Sequence, residues 1–395
     1  MISRLFVVLA VFICLLVGTV PAISDNVSPL SSDPQEHYAQ MELAAAERFL
    51  HYKFQPIAIQ KLQTLLANRP NWELVPQVEL DLAHALMLTK QPEECITECE
   101  RLRDTYHQSK PLLAAWAQFY IGRGNERMKQ YAEAVQAYRA VETFSDEIAD
   151  LLPLLAAQRK IANLIRNKKL DKSQALNLSS SDINEQAWSS TVMMAMYAER
   201  GKLQEAYQEY EKIKALLPHG DHRIALAGVR LSASELYVYE RRKVKEPAIL
   251  AHAKQILQEL EFDYPNETWL LTKCKLNVAM IMVCRRDDVS DAENYLKDIV
   301  ANGSDEDRLP AAYSLLAEAL YAQHKYNEAA TTAQIVEDRY PYSTWADFAS
   351  YTRALCLYEA GKKTEALVQL DKVVQLYPDS TWAQAAKVMK EVSWK

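Results

Sequence analysis

The fold class the sequence predicts is all-α, an array of stacked helix pairs, and three observations predict it. The phrase Tyr-Pro-x-Ser-Thr-Trp-Ala occurs twice, starting at Tyr340 and at Tyr377, an offset of 37 residues. A looser copy, Tyr-Pro-Asn-Glu-Thr-Trp, starts at Tyr264, 76 residues before Tyr340 or two periods of 38. Self-similarity at a period of roughly 20 to 50 residues marks arrays in which each unit buries its apolar face against its neighbours. Glycine is scarce, at 8 of 395 residues, about 2% where ~7% is usual. Tight-turned sheets and phosphate-cradling loops need glycine, whereas helix interiors avoid it. Finally, a chain of 395 residues with 49% apolar and 25% charged side chains is too long for one compact core.

Taken in order, the chain opens on an address. Arg4 supplies a positive charge, Leu5 to Val17 an apolar run, and Val20-Pro-Ala22 and Ala22-Ile-Ser24 small-residue cleavage sites. That layout predicts a signal peptide over 1–24 and a periplasmic or secreted mature chain. The alternative is an uncleaved helix anchoring the protein to the membrane. Residues 25–37 read as a Ser/Pro-rich flexible tether. No later stretch approaches a membrane-spanning length, so the mature chain is expected not to span a bilayer. A net charge of −7 argues against nucleic acid or anionic lipid as a general partner.

Helical periodicity starts near Tyr38 and gives N-terminal units over 38–146. The first closes on Pro70 and includes Ala46, Ala58, Leu62 and Leu65. The second, about 76–109, carries Ala83 and Cys95; the third, 111–145, carries Gly122 and Tyr131-Ala-Glu-Ala134. From 147 to 184 the pattern weakens to a degenerate repeat or hinge. Asp182-Ile-Asn-Glu185 then reads as a capping box, and units over 185–395 follow, closed by a helix with a second capping box at Thr381-Trp-Ala-Gln384. The basic run Arg241 to Lys245 reads as a solvated turn between two helices.

These units resemble the tetratricopeptide repeat (TPR). The clearest are Tyr197, Gly201, Leu203, Ala206, Tyr210, Ile213 and Pro218; Tyr313, Leu316, Ala317, Leu320, Tyr326, Ala329, Val336 and Pro341; and Ala354, Leu357, Gly361, Ala366, Leu370, Val373 and Pro378. The resemblance implies a right-handed α-solenoid of about nine TPR-like helix pairs plus a C-terminal capping helix. The Tyr377-to-Ala383 junction is also similar to junctions in bacterial envelope TPR proteins, namely the outer-membrane assembly lipoprotein and Tol–Pal-associated types.

Within that family the first helix of each pair lines a concave groove, which implies a protein or peptide partner. The groove positions fall on Asp81 and His84, on Trp116, Tyr120, Arg123 and Arg127, on Trp188, and on Tyr351 and Tyr358. Trp116, Tyr120, Arg123 and Arg127 share one helical stripe by their spacing, and arginine with aromatics suits an acidic segment or a carboxyl terminus. Phe119 shares this helix but reads equally as packing. The family's Lys-and-Asn carboxylate clamp is absent, since Phe119 and Arg123 stand at its positions.

Chemistry is not indicated. No Gly-x-Ser-x-Gly, His-Glu-x-x-His or P-loop stretch occurs, and Gly122-Arg-Gly124 lacks the preceding strand that a phosphate loop needs. Five scattered cysteines outside the leader, including Cys95 and Cys99 one turn apart, read as small buried residues rather than a disulfide framework. His219, Asp221 and His222 lack a further metal ligand. The expectation is no enzyme, no cofactor and no metal: a scaffold, with a glycan- or peptidoglycan-handling accessory subunit or a self-associating structural array as the alternatives.

Overall fold

The computed structural model describes residues 34–393 apart from 52–53, 90, 146–147, 149–151, 243–246, 303–307, 342 and 379. The expected signal peptide, most of the tether and Lys243 to Lys245 of the basic run lie outside the described residues. Among the described residues there is no strand. Helices come in consecutive pairs: α1 (Pro34–His51) with α2 (Gln55–Asn68), α3 (Val75–Leu88) with α4 (Pro92–Tyr106), and α5 (Pro111–Arg127) with α6 (Tyr131–Arg139). Next come α7 (Leu152–Arg166) with the one-turn α8 (Lys172–Ala175), α9 (Ile183–Glu199) with α10 (Leu203–Leu216), and α11 (His222–Arg242) with α12 (Pro247–Asp263). Then α13 (Thr268–Arg285) pairs with α14 (Val289–Asn302), α15 (Leu309–Ala322) with α16 (Tyr326–Arg339), and α17 (Ala346–Glu359) with α18 (Lys363–Leu376), before α19 (Thr381–Val388).

The chain divides into two compact units. One is residues 62–277; the other joins 278–395 to the residues up to Lys61. In the first, α3, α5, α7, α9 and α11 pack successively on one another, and α4, α6, α10 and α12 each cover the helix before them. In the second, α15, α17 and α19 do the same, with α16 and α18 alongside.

One turn recurs between the helices of a pair. Lys129 (φ 65°), Gly201 (φ 71°), His324 (φ 62°) and Gly361 (φ 82°) are left-handed, each five residues before a fully buried alanine, Ala134, Ala206, Ala329 or Ala366. The next residue's N–H reaches back five positions: Gln130 to Asn125, Lys202 to Tyr197, Lys325 to Leu320 and Lys362 to Leu357, at 2.9, 2.9, 3.0 and 2.9 Å. The left-handed residue itself donates three positions back. This Schellman geometry satisfies the last carbonyls of the first helix while reversing the chain.

The junction between pairs explains the repeated phrase. Tyr264, Tyr340 and Tyr377 are buried and end their helices with an N–H bond to Leu260, Val336 and Val373. The following proline cannot continue the helix. Ser380 is 1% exposed, and its Oγ accepts from Ala383 N at 3.0 Å.

Four local expectations are corrected. The cap of α19 is Ser380, not Thr381, because the serine backbone is extended and its hydroxyl meets the free N–H. At α9, Asp182 caps by accepting from Asn184 N at 2.8 Å, but Glu185 turns to Arg139 instead of back to the cap. The tether yields residues 34–37 to α1, since Pro34 is pre-set for a first helical position and Glu36 suits the first turn. The basic run is also partly helical, because α11 extends to Arg242.

Gly122 lies where α5 and α6 touch. A methyl added there would stand 2.5 Å from the Tyr138 ring, and Tyr138 is held by its hydroxyl on Glu126 at 2.8 Å. Gly122→Ala should therefore cost about 1–3 kcal/mol through overpacking, read as a lower Tm. An unchanged Tm would mean the ring yields freely.

In the unit containing α14 to α16, Glu293 accepts from Lys297 (2.6 Å), Gln323 (2.7 Å) and Lys325 (2.8 Å). Burial alone would raise this carboxyl, but those bonds outweigh it and hold it at about 2 against 4.5. A depressed carboxylate stabilises the fold above its unfolded pKa and loses that contribution as pH falls from about 4.5 to about 2. Acid melts of Glu293→Gln should lack that part of the wild-type loss. Parallel curves for the two proteins would contradict the network's role.

Candidate partner-binding site

Helix α5 carries the expected stripe, and burial divides it. Its first half is pressed among α3, α4, α6 and α7, leaving Trp116 2%, Phe119 0% and Tyr120 1% exposed. Trp116 and Phe119 meet edge-on at 5.5 Å, and Phe119 reaches the Tyr138 ring at 5.6 Å. Tyr120 stacks on His84 of α3 at 4.6 Å. Asp81 is buried as well, accepting from Gln77 at 3.3 Å. Trp116, Tyr120 and Asp81 therefore do not form an open contact surface. The driving force for burying large rings exceeds any benefit of leaving them in water.

Beyond Tyr120 the stripe surfaces. The Arg123 side chain is 18% exposed and Arg127 is exposed. Arg127 reaches the Leu88 carbonyl at 3.4 Å. The sequence reading missed three residues here: Glu126 on α5, Tyr138 on α6 and Lys160 on α7. Glu126 Oε2 accepts from the Tyr138 hydroxyl at 2.8 Å, with Lys160 Nζ at 3.6 Å and Arg123 Nε at 3.7 Å. Both cations stand beyond the ordinary 2.7–3.2 Å hydrogen-bond range. One carboxylate oxygen faces three donors, and the tyrosine takes the short bond.

The local field follows from burial and like charge. Burial, then the Arg123 charge, lowers His84 to about 3, so this imidazole is neutral at ordinary pH. Burial and the Arg123 charge bring Lys160 down to about 8 despite Glu126. Burial, then Glu126, pushes the Tyr138 phenol up. The cluster is a half-buried set of donors with a surplus of positive charge.

The remaining expected residues lie elsewhere. Trp188 on α9 is 3% exposed, beneath Arg139 at 6.0 Å. Tyr351, 2% exposed, packs on Trp382 at 5.1 Å, and half-buried Tyr358 holds Lys363 at 5.4 Å; both belong to the unit of residues 278–395. Trp188 and Tyr351 thus present no open ring face. His219 turns to Asp263 at 3.1 Å and Asp221 is forked by Arg223, leaving no convergent ligand set around His222. No group of three metal-ligating side chains occurs among the described residues.

Glu126 was legible, three residues past Arg123 on the same face. Lys160 was not, because α7 falls in the stretch where the repeat pattern lapses.

Comparison with known proteins bears on the units themselves. Residues 348–380 match the family model described as tetratricopeptide repeat. The likeness to a TPR thus rests on this segment. It covers α17, α18 and the Tyr377 junction, the best-patterned part of the chain. TPRs are a fold of protein–protein interaction scaffolds and are generally non-catalytic. No curated protein matches the chain. Among solved structures, the chain is similar to a Rap protein complexed with competence and sporulation factor (12% identity, 90% of this chain and 98% of that one, TM-score 0.35). It is also similar to the P58(IPK) TPR domain (12%, 90% and 99%, TM-score 0.23) and to yeast Tom70 (11%, 91% and 97%, TM-score 0.24). At these scores the backbones diverge too far to bear on this chain's partners. Among the described residues no helix is long and apolar enough to cross a membrane.

Proposed function

We propose that this protein is a non-catalytic TPR scaffold, exported to the periplasm or cell envelope, that holds an acidic protein segment against α5 and α7. The observation that carries the reading is the pair of under-used cations. Arg123 and Lys160 converge on Glu126 at 3.7 and 3.6 Å, too far for full hydrogen bonds, with Arg127 exposed one turn on. A ligand carboxylate would give both cations short charge-assisted bonds, and the buried rings beneath hold their backbones in place. Export is supported by the charged, apolar and small-residue layout of residues 1–24. A glycan reading rests on open aromatic faces, and Trp116, Tyr120, Trp188 and Tyr351 are buried.

A fluorescent glutamate-rich peptide should bind the full chain. Arg123→Ala with Lys160→Ala should weaken it at least about tenfold, since bonds to charged groups contribute about 1.5–3 kcal/mol each. Equal affinity in the double variant would remove the site from consideration, and an envelope partner captured equally by both proteins would point away from α5.

Lys160 also sets a pH dependence. It is a cation below about 8 and neutral above, so affinity for the peptide should fall as pH rises through 8. That fall should vanish in Lys160→Arg. A wild-type profile that stays flat from pH 7 to about 9 would contradict the assignment.

Self-association has its own support. Val368 and Leu376 on α18 and Val388 on α19 are 65%, 52% and 45% exposed, apolar side chains of the C-terminal units that a second copy could cover. Light scattering reads this directly, and a monomer at high concentration would dismiss it.

A further inference from the structure

On α9, three polar atoms without a hydrogen-bond partner lie on one face. Glu185, Trp188 and Ser189 stand at i, i+3 and i+4, adjacent on a helix surface. Trp188 Nε1, Ser189 Oγ and Glu185 Oε2 are buried atoms that make no hydrogen bond. Trp188 and Ser189 are each 3% exposed. Arg139 of α6 binds the other oxygen of Glu185 and lies over the Trp188 ring at 6.0 Å, which places the carboxylate and the indole together. The rim is open, with the Arg139 and Glu185 side chains 32% and 29% exposed. On α7, which packs against α9, Gln158 Oε1 is also buried and unpartnered.

Buried donors and acceptors without partners are costly to a fold, so three of them on one helix face call for an explanation. A ligand must offer an acceptor to a fixed indole N–H and a donor to Glu185 Oε2, with the hydroxyl of Ser189 free to act either way. Glu185 is already neutralised by Arg139, so a second cation would be in surplus and an anion would meet the carboxylate. An uncharged group with adjacent acceptor and donor fits. We propose that the Glu185–Trp188–Ser189 face is a binding site for an amide, its carbonyl on Trp188 Nε1 and its N–H on Glu185 Oε2. Neither Arg123 nor Lys160 takes part, so the site stands or falls apart from the acidic-segment reading.

The test uses the full chain labelled with 15N at its tryptophans, of which there are 7. The Trp188 indole resonance is assigned by its loss in Trp188→Phe or, if that variant fails to fold, by its displacement in Glu185→Gln. N-methylacetamide stands in for a peptide backbone and propionamide for a side-chain carboxamide. Either should shift the Trp188 indole saturably and leave the other indoles in place, and the tighter of the two names the source. Ser189→Ala should weaken the response about tenfold, the worth of one lost hydrogen bond near 1.4 kcal/mol. An indole unmoved by both amides, indicating a resident buried water, would overturn the proposal, as would a proportional drift of every indole or an unaltered response in Ser189→Ala.

Discussion

The left-handed turn seen inside four of the pairs is the constraint on which the remaining structure depends. It must reverse the chain within a few residues, satisfy the carbonyls at the end of the first helix, and deliver the second helix close enough to touch. The bond that reaches back five residues does the first two together. The buried alanine five residues on does the third, because only a small side chain allows the backbones to approach. Two of the four best turns use glycine, at Gly201 and Gly361, and two use Lys129 and His324. The latter pair accept a left-handed backbone that costs ordinary residues about 1–2 kcal/mol. That such residues persist there shows the packing on either side over-determines the turn.

Once the turn is fixed, what each helix face may carry is set by what covers it. The first helix of a pair has neighbours on several sides, so its apolar residues go inside almost without exception. In α17 the run from Ala346 to Leu357 is buried but for Arg353. Some polar residues in these layers have partners built for them. Glu337 of α16 receives Arg353 of α17 and Lys372 of α18 at 2.8 and 2.7 Å, and Gln369 joins Ser350 at 2.8 Å. This is a network in which three helices share one charge, and such networks tolerate no missing member. The same logic separates Glu318 from a free acid: Arg286 holds one of its oxygens at 2.5 Å, while burial pushes its carboxyl up.

Much of the fold was readable because its devices are periodic. Tyr264, Tyr340 and Tyr377 repeat a junction, and the buried alanines Ala134, Ala206, Ala329 and Ala366 repeat a contact. The site was less readable, and burial is the reason. Helical spacing correctly puts Trp116, Tyr120, Arg123 and Arg127 on one stripe, but spacing carries no information on how deep each residue of the stripe lies. The neighbours that bury Trp116 and Tyr120 come from α3, α4, α6 and α7, and α7 lies where the pattern fades. Lys160 entered from there unannounced. Asp182 was recognised as a cap, whereas the choice of Glu185 between its own backbone and Arg139, 46 residues away, is decided only by tertiary packing.

The division of the α5 stripe has a consequence for how any partner is recognised. In the proposed acidic-segment reading, buried rings at Trp116, Phe119 and Tyr120 would contribute rigidity but no contact, and recognition would pass to long charged side chains standing on a fixed base. A cation exposed on a flexible surface contributes little, since ordering it costs entropy and water screens it. Arg123 is different, because its exposure is 18% and its neighbours Glu126 and Lys160 are themselves partly enclosed. A carboxylate arriving there would find donors already ordered and partly desolvated, with one resident acid to displace or share. Selectivity would then come from the mutual spacing of Arg123, Lys160 and Arg127 along the segment. A single charge would satisfy one of them, and a run of acidic residues would be needed to engage all three.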